Sequence, residues 1–390
     1  MSTPNTLTGL IPTLYESLNI VSREMVGFIP AVRRDTSAER AAKDQTVRVP
    51  LADVGALEAI TPGQLPADTG NTTIGYTDIT IDKSFAVPIL WNGEQERSLQ
   101  TGGQYSNVLR DQFAEAMRKL VNQVEIDLAI RAKTSASRAY AVGGTPTTPF
   151  ATAANMSALA ATAGMLEANG APSTDLQFVM NSLSMANLRG LQSNLFKVNE
   201  AGSSDMLRNG MTDRLMGFAL RQSAGIKAHV QGAAASYVTD GAAAVGATGI
   251  AVETGSAAIN AGSLFSIADA EPNANEFYVA AAGRTGAGVL SINKPGLLIA
   301  AADAKAITVK GAYTGNFAFD RNAMVLVTRA PAVPGGGDSA DDSTLITDPV
   351  SGLTFEVRVY RQYRQVKYEV CLAWGTAAVN NQHIVTLAGA

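Results

Sequence analysis

Residues 106–139 read SNVLRDQFAEAMRKLVNQVEIDLAIRAKTSASRA. Leu109, Phe113, Met117, Leu120, Val124 and Leu128 recur at steps of four or three, which places them on one face of an α-helix. Charged side chains fill the remaining faces, Arg110, Asp111, Glu115, Arg118, Lys119, Glu125, Arg131 and Lys133 among them, and no Gly or Pro interrupts the run. At 1.5 Å per residue such a helix would reach roughly 50 Å. The average globular helix has about 11 residues. A helix of this length is a spine on which other elements are hung.

Upstream, Leu7 to Phe28 reads as a helix with Leu10, Leu14, Leu18, Val21 and Met25 on one face, ended by Gly27 and Pro30. An apolar stripe at a chain start docks on its own domain or on a neighbouring subunit. Ala31 to Asp44 is polar and charged and reads as a solvated face or an interface. Gln45 to Leu51 alternates as a strand, and Thr61 to Asn71 is rich in turn residues. Then Ile79, Ile81, Phe85, Val87 and Ile89 keep period two, with Lys83 as the one break. The pattern predicts a long two-stranded ribbon. A lone ribbon is marginal in water, so it should lean on a partner.

Downstream, Ala139 to Phe150 reads as a loop and Ala151 to Asn169 as a helix stopped by Gly170 and Pro172. Leu176 to Met180 is a strand, followed by a short helix capped by Asn181 or Ser182 and running to about Leu191. Thr212 to Ser223 reads as strand and turn. This alternation predicts a mixed α/β unit. From Gly225 to Gly315 the chain changes to Ala, Gly, Ser and Thr with short β runs at 234–238, 249–253, 264–267, 276–280, 289–292, 297–299 and 306–309. That spacing predicts an independent all-β barrel or sandwich. Phe317 to Ala330 holds a short helix start and a strand, and Pro331 to Pro349 reads as a loop. Phe355 to Val370 gives two strands whose apolar phases differ by one residue, so a turn or bulge lies near Arg361–Gln365. A last short strand falls within Ala373 to Leu387.

The chemistry is sparse. The chain has 46% hydrophobic and 16% charged residues, a net charge of −4 and a pI near 5.4. Disorder needs the opposite composition, and an electrostatic DNA binder should be basic. One cysteine, Cys371, excludes an intrachain disulfide and a Cys-rich zinc site. His229 and His383 have no acid or nucleophile at a recognised spacing. Gly283 to Gly288 lacks the Lys-Ser/Thr ending of a phosphate loop and reads as a hairpin turn. Asp338, Asp341, Asp342 and Asp348 do not fit an EF-hand and read as a solvated loop, with a cation as the alternative. Glu94 and Glu96 read as the start of a helix or as partners of Arg97 rather than as an acid–base pair. No run reaches the ~18 apolar residues of a membrane span, and the first residues have no signal-peptide core. No catalytic residue, cofactor or metal is expected.

The order of elements resembles the major capsid proteins of tailed bacteriophages, with the Hong Kong 97 phage-type fold. Leu7–Ile29 resembles their N-terminal arm, Gln45–Trp91 their extended loop and Ser106–Ala139 their spine helix. Gly210 to Ser223, with Gly217-Phe218, resembles the strand and turn of their axial domain. Asn316 to Pro331 resembles the segment that re-enters it, and Phe355 to Gly375 the return strands of the peripheral domain. Gly262–Ala268 and Lys294–Leu298 look like strands of the β-barrel insertion that a subgroup carries.

The resemblance implies an α+β fold divided into an arm (1–44), an extended loop (45–91), a peripheral part with the spine (92–140), an axial domain (141–224 and 316–350), an inserted β-domain (225–315) and return strands (351–390). It implies hexamers and pentamers of an icosahedral shell, formed as a procapsid and expanded on genome packaging. Its expected partners are copies of itself, a separate scaffolding protein, a portal protein, weakly held double-stranded DNA and decoration proteins, in a virion assembled in the bacterial cytoplasm. Leu10, Leu14 and Leu18 are expected to dock the arm, and Ile79, Ile81 and Phe85 the ribbon. An encapsulin-type nanocompartment of the same fold is the first alternative, and a secreted β-rich adhesin or enzyme the second.

Overall fold

The computed structural model describes residues 12–14, 26–51, 62, 75–101, 105–153, 155–191, 214–348 and 351–389. Leu10, Leu18, most of the expected arm helix, most of the turn-rich 61–71 stretch and residues 192–213 lie outside it. The described architecture is α+β, with the long helix Tyr105–Ser135 set against one sheet and a second sheet continuing from its far end.

Every apolar position singled out on that helix is buried: Leu109, Phe113, Met117, Leu120, Val124 and Leu128. They pack largely on the strand Gln365–Ala378, where the Phe113 and Tyr368 rings meet edge-on at 5.5 Å. The helix stops at Ser135, before the expected Ala139, and Arg138–Tyr140 is a strand instead. The cause is a tertiary hydrogen bond. The Ser137 N–H and hydroxyl both donate to the Ile384 carbonyl, each at 2.8 Å, and draw the backbone out of the helix.

The first sheet is built around Gln365–Ala378. One edge pairs with Lys83–Asn92; the other pairs with Thr354–Gln362 and, further along, with Met324–Pro331. The hairpin turn falls at Tyr363-Arg364, inside the expected window. Two polar stretches correct the sequence reading. Arg33–Ala41, expected as a solvated face or an interface, is a strand parallel to Met324–Pro331. Asp342–Thr347, expected as loop, is a strand on Thr354–Gln362. Neither has the apolar alternation that marks a strand; in Arg33–Ala41 ion pairs replace it, Arg40 with Glu356 and Asp35 with Arg329.

The ribbon is also divided. Thr46–Leu51 and Gly75–Thr80 form a separate two-stranded sheet, whereas Lys83–Asn92 belongs to the main sheet. The break in alternation at Lys83 marks that division.

The second sheet has twelve strands. Leu176–Met180, Phe218–Gln222, Thr314–Asp320 and Ile384–Gly389 form its α/β half. The Asn181 Oδ1 accepts from the Ser184 N–H at 2.7 Å and caps the helix Ser182–Leu191. Met216 and Gly217 turn between two strands at φ +49° and +83°, a left-handed pair that a glycine eases. The other half is the composition-shifted region. It has its own apolar core, including Tyr237, Ile250, Phe265, Ile267 and Leu290. It does not stand apart, however. Glu276–Tyr278 pairs with Arg138–Tyr140, which pairs in turn with Val385–Leu387. The two halves are therefore one hydrogen-bonded sheet. Leu297–Ile299, expected as a strand, is not one.

Candidate assembly surface

The long helix carries two buried carboxylates only two residues apart, Glu125 and Asp127, which leave it on different faces and hold different segments. Glu125 faces the segment that leads out of the N-terminal region. Its Oε2 accepts from the Phe28 N–H at 3.0 Å, the Gly27 N–H at 3.3 Å and the Ser223 hydroxyl at 2.6 Å, while Oε1 accepts from the Ile29 N–H at 2.8 Å. All four donors are neutral. Burial pushes its carboxyl above the ordinary range, against the opposing pull of those four donors. Gly27 is required here: a Cβ would stand 2.6 Å from the Gln222 carbonyl oxygen.

Asp127 faces the root of the ribbon. Its Oδ1 pairs with the Lys83 ammonium and accepts from the Gln123 amide at 3.0 Å, and its Oδ2 accepts from the Trp374 indole N–H at 2.9 Å. One carboxylate thus ties together the long helix, the first residue of the edge strand and the central strand. The sequence reading placed Glu125 among the charges on the helix's remaining faces and did not single out Asp127. A charged residue beside Val124 and Leu128 was the signal available.

The structure separates the residues expected to make contacts. Leu14 is buried in the main apolar cluster of its own chain. Ile79 and Ile81 are buried too, packed with Ala41, Val49, Val325, Val327 and Ala373. Phe85 is 50% exposed, its ring tilted 5.6 Å from that of Trp374. Two further side chains stand open nearby: Tyr76 on the ribbon and Leu90 on the edge strand, each 54% exposed. Both fall outside the apolar phase read from the sequence. Between the edge strand and the long helix runs an open groove of about 880 Å³. Val87, Leu90, Val108 and Ile126 give it an apolar lining, and Glu115, Arg118 and Lys119 a charged one. Pro88 sits on this edge strand, where its missing N–H is tolerated.

The residues weighed for chemistry are occupied structurally. The His229 ring lies 3.1 Å from the Ser263 hydroxyl, and burial beside Lys133 lowers it to about 4. Burial pushes the Cys371 thiol up to about 12. Asp338 pairs with Arg358 and Asp341 with Arg361, and Asp348 accepts from the Ser351 N–H. Glu94 and Glu96 lie in the first turn of a separate short helix, Gly93–Thr101. Among the described residues, no group of three or more His, Cys, Asp or Glu could hold a metal, and no helix is long and apolar enough to cross a membrane.

No protein-family model matches the chain, and no curated protein matches it. Solved structures do. The chain is similar to a structure from Mycobacterium phage Che8 at 12% identity and a TM-score of 0.43, covering 95% of this chain and 87% of that one. It is similar to the capsid structure of the cyanophage P-SCSP1u at 11% identity and a TM-score of 0.47, covering 94% and 89%. It is also similar to the virus-like particle from Pyrococcus furiosus at 12% identity and a TM-score of 0.41, covering 97% and 99%.

Proposed function

We propose that this chain is a major capsid protein, a subunit that associates with copies of itself into the closed shell of a tailed double-stranded DNA bacteriophage. The observation that carries the reading is the ribbon and edge strand rooted at the buried Asp127 of the long helix, held at the base and carrying uncovered apolar side chains further out. Tyr76, Phe85 and Leu90 are large apolar side chains left uncovered on and beside the ribbon. Exposed apolar surface of this kind marks an interaction site. Copies placed head to tail would cover one another's extensions, and such heterologous contacts close into rings. Obligate interfaces bury about 2,000 Å² or more, an area that extensions reach more readily than flat faces.

In this reading the arm root at Glu125 holds the N-terminal segment to the spine, and Phe85 is the member of the expected contact set whose ring stays available. Hexamers and pentamers, a procapsid that expands, a scaffolding partner and a portal belong to the same proposal. The acidic balance suits a shell that lines DNA through weak, sequence-independent contact. The test is electron microscopy of the protein co-expressed with its neighbouring genes. Closed, uniform shells are expected. Compact monomers or small oligomers would overturn the reading, and shells filled with a dense enzyme cargo would replace it with the nanocompartment.

A further inference from the structure

The hairpin that closes Thr354–Gln362 onto Gln365–Ala378 ends in Tyr363 and Arg364. Tyr363 is 85% exposed, the most open of the large apolar side chains among the described residues. Arg364 holds φ +56°, a left-handed conformation that a two-residue turn ordinarily gives to Gly or Asn. Its guanidinium lies 5.5 Å from the Tyr363 ring centroid. The tip is fastened at its base, because the Gly93 N–H donates to the Arg364 carbonyl at 3.1 Å. An exposed aromatic ring and a strained arginine do nothing for the chain's own core.

Beside the tip is an open groove of about 730 Å³. One wall is the hairpin, with Arg361 and Arg364. The other is the start of the Gly93–Thr101 helix, with Glu94 and Glu96. Trp91 and Val366 line it as well. Glu94 is exposed, and neither Glu94 nor Arg364 has an ion-pair partner among the described residues. The two opposite charges line one groove and do not meet within one chain.

We infer that this tip and groove form a contact between copies of the chain, in which Tyr363 of one copy fills the groove of the next and Arg364 pairs with the neighbour's Glu94. The inference rests on the shell reading and specifies one of its contacts. The occupant is a second copy because the basic tip and the acidic wall complement each other and are both supplied by this chain. The tip itself forms part of the groove wall, so both halves of the contact belong to one patch of the chain. A partner without a basic tip would leave Glu94 unpaired.

The experiment uses the full chain co-expressed with its neighbouring genes. Glu94→Lys and Arg364→Glu, each alone, are expected to abolish closed shells while leaving the subunit's melting temperature unchanged. Both together in one chain are expected to restore shells, since the pair is reformed with its signs exchanged. As a second measurement, Glu94→Cys and Arg364→Cys variants are mixed and treated with a short bis-maleimide. A cross-linked product between chains is expected; buried Cys371 stays silent. Shells undiminished in both single reversals, no rescue in the double variant, or shells without the cross-link would overturn this contact alone. Wild-type protein that forms no shells would overturn the shell reading, and this contact with it.

Discussion

Glu125 shows how much one side chain can hold. It satisfies three successive backbone N–H groups and a hydroxyl from two segments distant in sequence. Glu125→Ala would leave those donors buried without an acceptor, at about 1–3 kcal/mol for each unsatisfied group. A loss of about 3 kcal/mol or more in urea denaturation is expected, with a smaller loss for Glu125→Gln, which keeps one carbonyl oxygen. The pH dependence has a definite sign. Burial raises the folded-state value above the ordinary 4.5, so the folded state holds this proton more tightly than the unfolded chain. The contribution is fully present below the ordinary value and is lost as pH rises through the raised one. Wild type should therefore gain stability relative to Glu125→Gln as pH falls through that window. His229 has the opposite sign. Its lowered value means that stability present above 6.5 is lost as pH falls toward about 4. Acid denaturation followed with and without His229→Gln should show a shallower loss in the variant across that range.

At the scale of elements, the edge strand Lys83–Asn92 is held by its ladder to Gln365–Trp374 and by the contact of Lys83 with Asp127. Removing one partner of a buried pair costs about 3–5 kcal/mol. Lys83 is about a third exposed, so solvent screening reduces that figure here. Asp127→Ala also leaves the Trp374 indole N–H without its acceptor. A net loss of about 2 kcal/mol is expected. It should be local: amide hydrogen exchange should quicken across 83–92 while the Thr354–Gln362 strand keeps its protection. Equal quickening in both would mean that the ribbon root is not a separate point of attachment. The strand Arg33–Ala41 carries a related lesson. Its edge pairing is supported by Arg34, Arg40 and Asp35 reaching across to Ser351, Glu356 and Arg329, so a charged sequence becomes sheet.

At the scale of the molecule, the composition-shifted region is attached through a neck and along a strand. His229 and Tyr313 exchange backbone hydrogen bonds at 2.7 and 3.3 Å, so the chain leaves and returns at one place. That geometry invites excision of 229–313. The shared sheet argues against its success. Arg138 is buried, pairs with Glu276 at 2.6 Å and donates to the Asn169 Oδ1 at 2.9 Å, and excision would remove its carboxylate and leave a buried charge against a neutral amide. Loss of a buried partner costs about 3–5 kcal/mol, a large share of a typical 5–15 kcal/mol stability. The excised protein is expected to be insoluble or to melt far below wild type; a soluble variant with an unchanged melting temperature would show that the insertion is independent after all. Leu14→Asp tests the N-terminal segment. A carboxylate in the main core should free that segment to proteolysis and leave subunits that form no shells.

The sequence by itself determined what periodicity and composition can encode. The long helix is legible because a one-face apolar repeat is a local signal, and all six of its marked residues are buried. So are the Leu176–Met180 strand, the Asn181 cap, the hairpin turn at Tyr363-Arg364 and most strands of the composition-shifted region, Leu297–Ile299 excepted, where turn residues punctuate short apolar runs. Only the tertiary structure decided which charges are solvated. Glu125 and Asp127 resemble Glu115 in a sequence, yet two are buried acceptors and one is exposed, because their partners lie far away along the chain. It also decided that Ile79 and Ile81 face inward while Phe85 and Leu90 stay open, and that the two halves of the second sheet are joined through Arg138–Tyr140. A strand's alternation says that it has two faces. Which face is covered depends on what the rest of the chain places against it.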